Sequence, residues 1–590
     1  MSLRRLCTIG IGLLLTFGPS AVQAKQKYEP PTPLSPAQAA LVRKAIAREK
    51  VTVKEIEKHS PLVQTYIQNM RPDQLLYTVP ESDQYLLGRV DFGKSIGDTA
   101  FEGTSASSKA FFKGSMKYVS GLSKAFKMQY ISAGFMEMMF LDPISFDQQH
   151  YDFSYVRRDF LGSVRTLVFD VHPKPGTGNG RFTGRIWVED QDGNIVRFNG
   201  TYTGGNADDD NSNYFHFDSW RENLQPNMWL PVGIYVEETQ KSDEHPVTFK
   251  AQTYIWGYSL RLPTHASDAE SVKIDDVQDD SAQNQDLSPL QAERAWISQA
   301  EENVLDRLVQ AGLLAPPSPF DKILEQVTNN IVIGNNIQLT APIHCRVMLT
   351  EPLESLAVGN TIILSKGLVD VLPSESDLAA VLSFQLAHIV LGHHIDTRYA
   401  FNDRLLFPDS ATFERIHMSH TDADNALAAT KAVQLLKHSV YANQLAQPGL
   451  FLEQLVARSK ELTALNTPRL GDSLLQADGT PWLSALMTGA PKLDMKKLDQ
   501  VAALPLGSQL KINAWSDQVI RLNPTPSPIM NPRDKMPFEV TPVFFRLTRY
   551  QSPEAQQQTA AGPGSSSNVP AVDTQQGTAA QASASQPNPN

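Results

Sequence analysis

The chain has 590 residues, 41% of them hydrophobic, and a formal net charge of −11. That length implies several domains and enough apolar material for more than one core. The acidic balance excludes a nucleic-acid partner, which needs a basic stripe, and gives no strong attraction to anionic lipid surfaces.

Residues 1–24 carry Arg4 and Arg5, an apolar stretch from Leu6 to Phe17, helix-breaking Gly18-Pro19 and the small-residue end Val22-Gln23-Ala24. This is the pattern of a cleaved secretory signal peptide, so the expected location is the bacterial periplasm or outside the cell. Cleavage removes Cys7 and leaves Cys345 alone, to pack as a small apolar residue without a disulfide.

Residues 25–150 read as a helical and loop region. Ser35 before Pro36 is an N-cap with a first-turn proline, and Leu41, Val42, Ala45 and Ile46 form an apolar stripe. A second helix is expected over Ser60 to Met70, and Gly93 to Tyr118 reads as a mobile loop. Residues 151–265 form a β-rich domain. Arg165 to Val171 alternates, Phe182, Gly184, Ile186 and Val188 face one way, and Asp192-Gly193 marks a tight hairpin. Trp187, Trp220, Trp229 and Trp256 supply bulky cover for a curved antiparallel sheet.

Residues 266–287 are an acidic linker. In residues 288–470 an amphipathic helix runs from Gln291 to Gly312, and short strands are expected over Ile331 to Leu339 and Cys345 to Leu349. Ser374 with Asp377 begins a buried helix on which Phe384, His388 and Leu391 share a face beside Gln385. His393 and His394 end it, where imidazolium would complement the helix dipole. Helices over Asn425 to Leu436 and Pro448 to Leu465 follow. Residues 471–550 return to short strands, with Phe538 to Phe545 confined to an edge by its prolines. Residues 551–590 are Gln, Ala, Ser, Pro and Gly and should be a disordered tail. The expected fold class is α+β and multidomain: N-terminal helices, an antiparallel curved sheet, then a mainly helical domain with a small edge sheet.

Leu378 to His393 resembles the active-site helix of the zinc metallopeptidases typified by HtpX and the CAAX prenyl proteases. In that family two histidines one turn apart bind zinc and the intervening glutamate activates the metal-bound water. Here Phe384 stands at the first histidine and Gln385 at the glutamate, followed by Leu386, Ala387 and the retained His388. The family's third ligand, a glutamate four residues before an aspartate, corresponds to His420 before Asp424. Phenylalanine has no lone pair for a metal and its ring would fill the metal's space; an amide cannot take up water's proton. The resemblance also makes Leu356 to Leu368 the edge strand and Gly-Leu turn that align substrate by strand addition, here able to hold a peptide without cutting it. Trp187 to Arg197 resembles the LolA-like half-barrels, which cup an acyl chain.

The leading expectation is therefore a non-catalytic pseudopeptidase, without cofactor, acting as a chaperone or assembly factor on unfolded or envelope polypeptides. One alternative is a zinc endopeptidase with a rearranged site of His388, His420 and a carboxylate such as Asp422, with His417 also available. The other is a periplasmic lipid or lipoprotein carrier working through the β-rich domain.

Overall fold

The Ser35 side chain accepts the backbone N–H of Gln38, and the Gln38 side chain accepts the N–H of Ser35. This capping box, with Pro36 in the first turn, starts helix α1, Pro36–Ile56. The structure, a computed structural model, describes residues 32–59, 61–73, 77–90, 98–100, 135–142, 145–177, 181–203, 213–240, 249–258, 289–339, 341–395, 418–468, 470–494, 510–513, 519–521, 539–540 and 547–550. The expected signal peptide, acidic linker and C-terminal tail lie outside these residues, as does His417. So does most of Gly93 to Tyr118.

The buried side of α1 lies on a ten-stranded antiparallel sheet. Its strands are β1 (Leu62–Asp73), β2 (Tyr77–Val90), β3 (Asp98–Ala100), β4 (Tyr151–Leu161), β5 (Val164–Pro173), β6 (Arg181–Glu189), β7 (Ile195–Thr203), β8 (Asn213–Gln225), β9 (Met228–Gln240) and β10 (Phe249–Trp256). The order β3-β2-β1-β10-β9-β8-β7-β6-β5-β4 is a meander from β4 to β10, with β1 returning to pair β10. Asp192-Gly193 turns β6 into β7 as expected, Gly193 taking φ +72. The Glu189 carboxylate fixes that turn by accepting the backbone N–H groups of Gln191, Asp192 and Asn194.

One face of the sheet builds a core from Phe182, Ile186, Phe198, Phe217 and Ile234. It is closed by Val42, Ala45 and Ile46 of α1 and by Met138, Met139 and Leu141. These side chains fill that face of the sheet. Trp187, Trp220 and Trp229 pack on the opposite face with Val168 and Val196. Between two of those indoles lies the Arg197 guanidinium, 4.3 Å from each ring centroid and paired with buried Asp218.

The helix expected over Ser60 to Met70 is instead strand β1. Every residue from Leu62 to Gln68 is buried, polar ones included, because a second group of elements covers the strand's other face. Gln64 accepts hydrogen bonds from the Glu351 backbone and from Tyr85, and Asp83 accepts the N–H groups of Ala464 and Leu465.

That second group comprises α2 (Pro289–Gln310), α3 (Pro319–Gly334), β11 (His344–Met348), β12 (Glu354–Val358), β13 (Thr361–Ser365), α4 (Lys366–Val371), α5 (Glu375–Leu391), α6 (Asp422–Lys437), α7 (Ala446–Arg458), α8 (Thr463–Asn466) and β14 (Asp472–Ser473). The strand predicted over Ile331 to Leu339 falls on the last turn of α3 and the irregular segment after it; the helix is set upstream by the Ser318 and Asp321 capping box. Its small sheet has the order β11-β13-β12-β14. Of the stretch from Leu356 to Leu368, β13 is paired on both sides, whereas β14 pairs β12 at Glu354 and Ser355 only, so Leu356 to Val358 have a strand partner on one side among the described residues. The Gly-Leu turn expected there is instead the first turn of α4, and it requires Gly367 because a Cβ would sit 1.7 Å from the Glu351 carbonyl oxygen.

A three-stranded sheet of β15 (Leu510–Asn513), β16 (Val519–Arg521) and β17 (Glu539–Val540) follows; β17 falls within the strand expected over Phe538 to Phe545, the rest of which lies outside the described residues. These elements belong to one compact unit, Met1–Thr548, and a second unit spans Arg549–Asn590. No helix among the described residues is long and apolar enough to cross a membrane.

Candidate functional site

Helix α5 is capped by Ser374, whose hydroxyl accepts the Asp377 N–H, and it ends at Gly392, which takes the left-handed φ of +70. Helices α3, α6 and α7 and strand β12 surround it, so nearly every side chain from Ser376 to His388 is buried. A helix covered on all sides can be apolar all round, which explains why its sequence shows no strong amphipathic stripe. Because the helix stops at Leu391, His393 and His394 lie beyond its last turn, where the His393 backbone N–H donates to the His388 carbonyl at 3.0 Å. The turn at Gly392 folds His393 back, placing its Nδ1 3.1 Å from His388 Nδ1. His394 leaves in another direction, with Nδ1 2.9 Å from Glu301 Oε1 of α2.

Three predicted residues meet on α5. Phe384 is fully buried and presents its ring edge-on to His388 at 5.1 Å between centroids. It does not fill the space between His388 and His420, as the sequence suggested; those rings stack directly, 3.8 Å apart with 26° between planes. Gln385 donates from Nε2 to Ser355 Oγ at 2.8 Å and to Asp472 Oδ2 at 3.4 Å. It is bound as a structural amide, not poised over a cleft. Burial, with the neighbouring His420 adding to it, pushes the His388 imidazole down to about 3, so the ring is neutral at physiological pH.

His420 precedes α6, whose N-cap is Thr421. The Asp472 carboxylate holds it twice, accepting the His420 backbone N–H at 2.7 Å and lying 2.7 Å from its Nδ1. Asp424 is held below the usual carboxylate range, first by the Thr421 hydroxyl, and faces His393 Nε2 at 3.6 Å. Asp422, the carboxylate proposed from sequence for a rearranged centre, is exposed at the start of α6. Asp472 of β14 takes that place, 52 residues beyond His420. His420 and Asp472 open on a polar cleft of about 510 Å³ that Lys460, Thr463, Asn466 and Trp482 also line.

Peptide hydrolysis needs a proton acceptor for the attacking water. The glutamate position is filled by a hydrogen-bonded amide.

A second cleft, of about 500 Å³, went unread in the sequence because its walls come from five separated segments. Leu224, Met228, Val232, Ile255, Trp256 and Tyr258 make it apolar, and Glu222, His59 and Lys366 are its ionisable members. Burial raises the Glu222 carboxyl above its ordinary range. Lys366 Nζ sits 4.7 Å from the Tyr254 ring centroid and is ion-paired with Asp370.

No family model matches the chain, and no curated protein does; the metallopeptidase resemblance of Leu378 to His393 gains no support there. Ten solved chains are similar to part of this chain, two of them as follows. One is a domain named for outer membrane lipoprotein sorting, from Vibrio parahaemolyticus, at 11% identity and TM-score 0.20, covering 37% of this chain and 92% of that one. The other is a DUF1329 family protein from Desulfovibrio piger, at 11% identity and TM-score 0.18, covering 40% of this chain and 99% of that one.

Proposed function

We propose that the protein is a non-hydrolytic carrier of the bacterial envelope, exported by its Met1 to Ala24 leader, that takes the apolar chain of a lipid or acylated polypeptide into the cleft lined by Leu224, Met228 and Trp256. The observation that carries this reading is the cleft itself: about 500 Å³ of mainly apolar wall with a lysine among its ionisable residues, within the roughly 300–1,000 Å³ of small-molecule sites. Each methylene it buries contributes about 0.8 kcal/mol, and Lys366 supplies a cation for an acidic headgroup. The bound amide at Gln385 supports a protein that holds its ligand without cutting it.

Organic extraction of the purified full chain should release acyl lipid detectable by mass spectrometry. Titration with palmitate should change the Trp256 emission saturably. Placing charges on the apolar wall with Leu224→Lys and Met228→Lys together should weaken palmitate by about tenfold or more, since a charge there must be desolvated. Lys366→Ala should weaken palmitate more than its neutral alcohol. Absence of both extracted lipid and saturable binding would overturn the reading.

A further inference from the structure

Two imidazole nitrogens are buried with nothing to bond. His388 Nε2 and His420 Nε2 have no hydrogen-bond partner, and the His420 side chain and the whole of His388 have no exposure to solvent. An unsatisfied buried polar atom costs about 1–3 kcal/mol. A fold that keeps two of them side by side, next to a carboxylate, is arranged for something that accepts their lone pairs.

We propose that His388, His420 and Asp472 bind one divalent cation of the zinc class. One donor atom from each residue lies within 4.8 Å of the others, and all three residues are buried. Tetrahedral coordination at about 2.0 Å places donors about 3.3 Å apart, so side-chain rotation of modest extent closes the set. The donors are two neutral nitrogens and a carboxylate oxygen. Such a set suits zinc, cobalt or nickel, whereas magnesium and calcium require oxygen shells.

Asp472 acts in two ways. Its Oδ1 accepts the His420 backbone N–H, which anchors the carboxylate, and its Oδ2 lies 2.7 Å from His420 Nδ1, where an ion taken by this set replaces the proton between that oxygen and that nitrogen. Its oxygens retain further lone pairs for the ion. The polar cleft beside His420 and Asp472 provides an entry path and a place for a water ligand. His388 and His420 stand at two ligand positions of the metallopeptidase resemblance, neither Phe384 nor Gln385 takes part, and the third donor, Asp472, lies beyond the part of the chain that carries it. The ion would tie α5, the segment ahead of α6 and β14 together, a structural role independent of the amphiphile cleft.

The test uses the full chain, stripped with chelator and dialysed. Calorimetric titration with Zn²⁺ should show one bound equivalent, Mg²⁺ should show none, and the melting temperature should rise by a few degrees with saturating Zn²⁺. Co²⁺ should give the visible d–d bands of a tetrahedral site. His388→Ala and His420→Ala should each remove the bound equivalent, and Asp472→Asn should weaken it at least tenfold. His438→Ala, at the exposed end of α6, should leave it intact. Binding that persists in the His388→Ala, His420→Ala double variant would overturn the proposal. If the alanine variants do not fold, the unmodified chain decides: no bound Zn²⁺ and no cobalt bands would equally overturn it.

Discussion

Replacing Glu49 by alanine is expected to lower the unfolding free energy by about 3–5 kcal/mol, the cost of leaving one member of a buried ion pair alone. Glu49 and Arg221 are both 1% exposed, and the pair is a two-pronged fork: Nη1 donates to Oε2 at 2.6 Å and Nη2 to Oε1 at 2.8 Å. The guanidinium also donates to the carbonyls of Ile195 and Met139. Strand β8, the β7 start, the segment at Met139 and helix α1 therefore converge on one charged group. Without Glu49 the guanidinium keeps two neutral acceptors inside the main apolar core and cannot reach water. Glu49→Gln retains an acceptor and should cost less. As a control, Glu55→Ala removes a bridge to Lys58, which is 67% exposed, and should cost under about 1 kcal/mol. Urea midpoints at fixed slope measure all three. A Glu49→Ala variant within 1 kcal/mol of the unmodified chain would show that α1 is not anchored this way.

The pair was half legible. Leu41, Val42, Ala45 and Ile46 announce the buried face of α1, and Glu49 continues that face at the same spacing. An acid on an apolar stripe implies a buried cation, but not which one, because Arg221 lies 172 residues away. The capped starts of α1 and α5 and the Asp192-Gly193 hairpin were readable because their causes are local hydrogen bonds and backbone angles. The α+β class followed from the same local patterns. Strand β1 was misread because apolar residues at 62, 63, 66 and 67 mimic a helical stripe. Its Val, Thr, Tyr and Ile content argued for a strand, and burial on both faces erased the alternation that would have said so. At the candidate site, Phe384, Gln385, His388 and His420 were visible through a motif frame. Asp472 was not, because a carboxylate on a two-residue strand carries no periodicity. Only pairing with Glu354 and Ser355 of β12 brings it to the imidazoles.

Between about pH 4.5 and 7 the unmodified protein should lose stability relative to Glu351→Gln, by on the order of 3 kcal/mol over that window. Glu351 sits where the small sheet meets β1: its N–H donates to Gln64, its Oε2 has no partner, and its carboxyl is buried. Burial pushes it from 4.5 up to about 7; Lys366 opposes the shift and Asp370 adds to it. Tyr254, beside Lys366, is neutral in this range, burial holding its hydroxyl far above its ordinary value. The sign follows from proton counting. Below about pH 4.5 the carboxyl is protonated in both folded and unfolded chains and costs nothing. As pH rises the unfolded chain ionises first, so folding must pay for a proton the native state retains, and stability falls. Above about pH 7 the native carboxyl ionises too and the loss levels off. Glutamine stays neutral throughout, so the variant should match the unmodified chain near pH 4.5 and exceed it at pH 8. Every other group that titrates, His388 included, is common to both proteins and cancels in the difference. Denaturation series at the two pH values give the result directly: parallel stability profiles would mean that Glu351 is solvated in the folded protein and that the contact between β1 and the small sheet is looser than these distances imply.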